Sequence, residues 1–95
     1  MYDEVFEWDE AKADRNYAVH GVRFETARAV FKDAFALDWL DKRFPYGEDR
    51  YAILGMVDDR LLYVAYTLRG DKIRIISARG AEPHERRTYH KANSP

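Results

Sequence analysis

RYAILGMVDDRLLYVAYTLRGDKIRIISAR, from Arg50 to Arg79, holds three apolar runs separated by two short polar breaks. Each run has the length of a strand and is rich in Ile, Val, Leu and Tyr, side chains that pack well on a pleated surface. Asp58-Asp59 separates the first two runs, and Arg69-Gly70-Asp71 separates the second from the third. Links this short make antiparallel hairpins. The reading is a meander of Arg50–Val57, Arg60–Leu68 and Lys72–Arg79, with Ile53, Leu62, Val64 and Ile75 turned to one side.

Helices are expected to cover that side. VFEW (Val5–Trp8) reads as a short strand with Phe6 and Trp8 on one face. Asp9 suits an N-cap, since its carboxylate can accept from unpaired backbone N–H groups. The helix then runs from Glu10 to His20 and stops at Gly21, a C′ position suited to positive φ. Tyr17 shares a face with Ala13 and His20 by helical spacing. FETARAVFKD predicts a second helix whose buried stripe is Phe24, Ala27, Val30 and Phe31. Ala34–Leu40 predicts a strand with Phe35, Leu37 and Trp39 on one face. DKRFPYGE is the longest loop, punctuated by Pro45 and Gly47. Glu82-Pro83 opens a last helix, with Pro83 at N1 and Glu85 at N3. The order β-α-α-β-β-β-β-α implies an α+β domain with helices packed on an antiparallel sheet.

The chain has 95 residues, the size of a single domain spanning 1–95. It is 46% hydrophobic and 35% charged, which is a globular rather than a disordered composition. With no cysteine it offers neither disulfides nor thiolate chemistry. No long apolar run is present and the start MYDEVFEWDE is acidic, so neither a signal peptide nor a membrane span is expected, and the cytoplasm is the default compartment. Three scattered histidines without metal-ligand spacing give no metal signal, and no cofactor is expected. The net charge of −1 conceals an asymmetry. Residues 1–48 hold eleven acids and seven bases, whereas residues 49–95 hold six acids and nine bases. A polyanion responds to such a basic face rather than to the net charge.

FEWDEAKADRNYAVHGVRFETA, EDRYAILG, LLYVAYTLRGDKIRIISARGA and ERRTYH together resemble the BrnT toxin family, from Phe6 to about Tyr89. Two blocks carry the resemblance. One comprises Phe6–Asp9, Lys12, Asn16, His20-Gly21-Val22 and Phe24. The other comprises Tyr66-Thr67, Arg69-Gly70, Ile73–Arg79, Ala81, Glu85-Arg86 and Tyr89. The resemblance implies a RelE-like fold and a ribonuclease toxin of a type II toxin–antitoxin pair. It further implies RNA as substrate, inhibition of translation, and a BrnA-like antitoxin through which alone operator DNA is bound. Where many relatives carry a second arginine after the ISAR motif this chain has Gly80, and Glu82-Pro83-His84 stand where basic residues are common, so a thinner cationic patch is expected.

Metal-free RNA cleavage uses the substrate's 2′-hydroxyl as nucleophile and needs a base, an acid and cations for the phosphate. Arginine suits the last task because its planar fork grips two oxygens. Arg74 and Arg79 are the leading candidates. An odd separation puts them on opposite faces of a regular strand, and they converge only if a bulge near Ser77 shifts the register. Arg74 either contacts phosphate or pairs with an acid such as Asp71 or Glu85. His20 has a side chain that titrates near neutrality, yet it also suits the carbonyls ending its helix. Glu85 serves either as base or as N3 cap. Lys12 and Asn16 either line the substrate groove with His20 or, for Asn16, tie down a loop backbone. Tyr66 and Arg69 close the strand before the Arg74 strand; Tyr66 either stacks a base or is a core aromatic. Arg86 and Tyr89 either edge the groove or pin the last helix. A non-catalytic module that binds RNA or protein is the competing reading.

Overall fold

The computed structural model describes residues 5–43, 45 and 47–95; Phe44 and Tyr46 of the predicted long loop lie outside the described residues. The chain runs β1 (Phe6–Glu7), α1 (Glu10–His20), α2 (Phe24–Ala27), a 3-10 segment (Arg28–Lys32), β2 (Leu37–Asp41), β3 (Arg50–Val57), β4 (Arg60–Arg69), β5 (Lys72–Gly80) and α3 (Pro83–Ala92). The five strands form one sheet in the order β1-β5-β4-β3-β2. Strands β2 to β5 are antiparallel neighbours, through short links from β3 to β5 and through the long loop between β2 and β3. Both hairpin turns use positive φ, at Asp58 (54°) and at Gly70 (62°), as tight turns matched to strand twist require. The sheet departs from a purely antiparallel one at its edge, where β1 pairs parallel to β5 through Phe6–Ile73 and Glu7–Arg74.

The register changes once within β5. Ala65 pairs with Ser77 but Tyr66 pairs with Ile75, so Ile76 is an extra residue without a partner on β4. Side chains before and after such a bulge exchange faces relative to an unbroken strand. Ile73, Ile75 and Ala78 consequently all join one core cluster, and Arg74, Ser77 and Arg79 share the opposite face.

The helical face buries Ile53, Leu62, Val64, Tyr66 and Ile75 against Trp8, Val22, Phe24, Ala27 and Val30. The other face carries a smaller core in which Ala81 and Tyr89, flanking and within α3, pack on Leu54, Leu61 and Tyr63. Helix α3 covers one end of that face; beyond it Arg50, Ala65, Arg74 and Ser77 are partly exposed, whereas Ala52 and Thr67 stay buried.

Helix α1 begins and ends as expected, with Asp9 Oδ1 accepting from the Lys12 N–H at 3.0 Å and Gly21 at φ 69°. Its one buried residue is Asn16 rather than an apolar stripe. The Asn16 amide donates to the carbonyls of Ala78 (2.8 Å) and Val22 (3.0 Å), and its oxygen accepts from the Ala78 N–H at 3.0 Å. The side chain thus pairs with β5 as a neighbouring strand would. Tyr17, at helical spacing from Ala13, is exposed, with the Arg23 guanidinium 4.1 Å from its ring centre.

The predicted second helix is one α turn followed by the tighter 3-10 segment. This segment lies so close to β3 that a Cβ on Gly55 would sit 2.8 Å from Val30 Cγ1 and 3.2 Å from the Val30 carbonyl. Asp33 ends it, accepting from the Phe35 N–H (2.9 Å), the Met56 N–H (2.8 Å) and the Tyr89 hydroxyl (2.6 Å). That turn delays β2 to Leu37 and leaves Phe35 exposed, where the sequence pattern predicted a strand from Ala34.

Because both the Val30 backbone and its side chain oppose a methyl group, Gly55→Ala should cost about 1–3 kcal/mol and lower Tm by roughly 5–15 °C. Thermal denaturation checks this; an unchanged Tm would show that the 3-10 segment moves away freely.

Candidate active site on the open face of the sheet

Cross-strand register arranges the open face in rows. The first is Glu7, Arg74, Thr67, Arg50 and Asp41; the second Ser77, Ala65, Ala52 and Trp39; the third Arg79, Tyr63, Leu54 and Leu37. A strip of small side chains therefore lies between two rows that carry guanidinium groups. Arg74 and Arg79 pair with β4 residues four positions apart, so their backbones are about 13 Å apart along the strand.

Arg79 stands at the end of β5 beside the start of α3. Its Nη1 and Nη2 donate to Glu85 Oε1 (2.8 Å) and Oε2 (2.9 Å), and Nη1 also donates to the Gly80 carbonyl at 3.1 Å. Glu82 Oε1 lies 3.4 Å from Nη2. The guanidinium also stacks over Tyr63, 4.2 Å from the ring centre. Glu85 is buried and accepts in addition from the Glu82 N–H at 2.8 Å, one half of the capping box that starts α3. It is therefore cap and ion-pair partner at once. Burial pushes the Glu85 carboxyl upward, but the Arg79 hydrogen bonds, the Glu82 N–H and the Arg79 charge outweigh it and hold the group below its ordinary 4.5. Arg79 is raised in turn, first by its bonds to Glu85.

The bulge places Arg74 on the same face, yet its partner draws it away from Arg79. Nη1 donates to Glu7 Oε2 at 2.6 Å. Neither Asp71 nor Glu85, the acids suggested by the sequence, is its partner, because parallel pairing of β1 sets Glu7 opposite Arg74. The other arginines of this face are paired likewise, Arg50 with Glu48 at 3.3 Å and Arg43 with Asp41 at 2.9 Å. Arg43 Nη2 also lies 3.4 Å from the Tyr63 hydroxyl. Burial raises the Tyr63 phenol above its ordinary value. Trp39 meets Tyr63 edge-on, with ring centres 5.9 Å apart.

The remaining sequence candidates lie elsewhere. Tyr66 is on the helical face, donating to the Asp38 carboxylate at 2.8 Å, with Tyr51 stacked at 5.4 Å. Burial and Asp38 both push its phenol up. Tyr89 pins α3 through Asp33, and burial and that bond raise it to about 12. Asn16 has both amide functions engaged by backbone. Lys12 and His20 are exposed and, with Arg15, Asn16, Val19 and Ile76, line a shallow groove beside α1; none of these belongs to the Arg79 row. Arg69 and Arg86 are exposed, Arg69 at the end of β4 and Arg86 on α3.

Tyr63, Trp39, Arg43 and Ser77 are not among the site residues that the sequence pattern suggests. Parity holds the signal for Tyr63: with Leu62 and Val64 in the core, Tyr63 points outward and Tyr66 inward. Glu82, His84 and Glu85 bring ligand-type atoms within 4.8 Å of one another. Both Glu85 oxygens already hold Arg79, however, and that charge opposes a cation. The whole face suits an extended anion with flat groups attached, since it offers guanidinium forks, stacked rings and, between them, a strip of small side chains in which Ser77 and Ala65 are partly exposed and Ala52 is buried.

The sequence profile of a family described as "Ribonuclease toxin, BrnT, of type II toxin-antitoxin system" matches residues 8–85, a span that includes α1 and both Arg79 and Glu85. No curated protein matches the chain.

A folded-state carboxyl held below its ordinary value adds stability above that value and loses it as pH falls through the folded one. Glu85→Gln should thus destabilise the protein by about 1–3 kcal/mol at neutral pH. The gap from wild type should close as pH drops below 4.5. Denaturant melts across that range are the check; a gap independent of pH would mean that the charge on Glu85 contributes nothing.

Proposed function

The chain belongs to the BrnT family of ribonuclease toxins of type II toxin–antitoxin systems, and we propose that it cleaves RNA endonucleolytically on the open face of its sheet. The observation that carries this reading is the Arg79–Glu85 pair, a bidentate guanidinium and a buried carboxylate, set beside a strip of Ser77, Ala65 and Ala52. In this reading the RNA backbone follows the strip. The 2′-oxygen gives up its proton and attacks the adjacent phosphorus, the bond to the 5′-oxygen breaks as that oxygen takes a proton from solvent water, and a 2′,3′-cyclic phosphate and a 5′-hydroxyl end remain.

Charge gathers on the phosphate during that step, so a fork that can turn to it stabilises the transition state. Arg79 moves from Glu85 to the phosphate. Glu85 then loses the partner that holds its proton affinity down while its burial persists, and it becomes basic enough to take the 2′-proton. The step requires no metal. Arg74 holds a neighbouring phosphate. Lys12, Arg69 and Arg86 add to the cationic path followed by the rest of the strand, and His20 stands outside the reacting centre. A cytoplasmic toxin of this kind blocks translation by destroying RNA, is silenced by a BrnA-like antitoxin, and meets operator DNA through that antitoxin alone.

Because the arginines of this face are closed onto carboxylates, a second reading is that the domain docks RNA or protein without cutting. Incubating the purified protein with RNA in the presence of a chelator separates the two. Cleavage leaving cyclic phosphate ends is expected, with Arg79→Ala slower by about two to three decades and Arg79→Lys partly restored, since lysine keeps the charge and loses the fork. Induced expression should arrest bacterial growth and the cognate antitoxin should restore it. Intact RNA together with normal growth at high soluble expression would leave only the docking reading.

A further inference from the structure

The open face carries an aromatic group that the cleavage step does not use. Trp39, in edge strand β2, is 40% exposed, whereas the chain's other tryptophan, Trp8, is 1% exposed in the helical core. An indole so exposed forgoes much of the favourable burial of a large apolar ring. Its place is fixed nonetheless. One side meets Tyr63 edge-on at 5.9 Å, and Tyr63 in turn lies under the Arg79 guanidinium at 4.2 Å. The register opposite Trp39 is filled by Ala52 and then Ala65, both too small to cover the ring. Arg79, Tyr63 and Trp39 are thus consecutive members of one contact chain that ends on an exposed aromatic surface at the far end of the strip.

We propose that Trp39 is a stacking platform for one unpaired base of the RNA, the base lying along the strip from the phosphate at Arg79. The assignment rests on the ribonuclease reading and goes beyond it by placing a nucleobase subsite and giving the substrate a direction, from β5 toward β2. Every base has a π-face, so the platform accepts all four and holds the larger purines better. It also requires the RNA to be single-stranded there, because a base within a duplex has no free face to offer.

The two tryptophans make the test direct, since only Trp39 can touch a ligand. The probe is a single-stranded oligoribonucleotide of mixed sequence with 2′-O-methyl groups, which lacks the nucleophile; its abasic counterpart is the control. Labelled-probe anisotropy reads binding and intrinsic fluorescence reads Trp39. The expected result is quenching on saturation by the base-containing probe and none by the abasic one. Trp39→Ala should weaken binding roughly ten- to hundredfold, and Trp39→Phe should retain most of it. Trp39 is half-exposed, and an unchanged Tm verifies that the variants fold. Binding and cleavage with no change in Trp39 emission overturn the platform and leave the ribonuclease standing. A response of Trp39 to the antitoxin but not to the probe overturns it in favour of a protein contact. Absence of both binding and cleavage removes the ribonuclease reading and the platform with it.

Discussion

One extra residue in β5, Ile76, determines which side of the sheet the later arginine faces. In an unbroken strand Arg79 would line up with Ile73 and Ile75 beneath the helices. Burying a guanidinium there without a partner would cost several kcal/mol, of about the size of the whole stability of a small domain. The bulge turns it outward instead. Asn16 fixes that register by binding both backbone groups of Ala78, two residues past the bulge. A polar residue buried in α1 is thereby coupled, through β5, to the orientation of Arg79 and its pairing with Glu85.

The same geometry explains why Gly80 does not simply subtract a cation from the open face. Gly80 pairs with Leu62, a residue of the helical side. A side chain at position 80 would point to that side, where an added Cβ would meet Arg60 Nη2 at 3.1 Å. The open face is limited by something else. Arg43, Arg50, Arg74 and Arg79 are each matched to a carboxylate, so its guanidinium groups are held in position and largely neutralised until an anion competes for them. Such pairs add little stability where exposed; what they do is hold the forks in a defined geometry.

Local patterning specified the fold well because the two hairpins depend on adjacent segments. The alternation of Leu62, Val64 and Tyr66, the cap at Asp9 and the stop at Gly21 are all local. What the sequence left open depends on contacts distant along the chain. The parallel pairing of β1 with β5, and with it the Glu7–Arg74 ion pair, joins residues 67 positions apart. Tyr17 sits at helical spacing with Ala13, but the anchoring of α1 through Asn16 rotates it to solvent. The 3-10 segment follows from the close approach at Gly55, which local propensity cannot register. At the site, residue type was legible in Arg79 and Glu85, whereas the neighbours that give them a surface to act on, Tyr63 and Trp39, required knowledge of strand parity and register.

A sheet whose edge lies open invites another chain to add to it, which is how native folds become fibres or exchange segments with their neighbours. Beyond the short stretch covered by β1, the outer rim of β5 is such an edge. Asn16 occupies both the donor and the acceptor of Ala78 with a single amide and so removes the foothold an incoming strand would need. Self-association is discouraged there by a side chain that imitates a strand without extending the sheet.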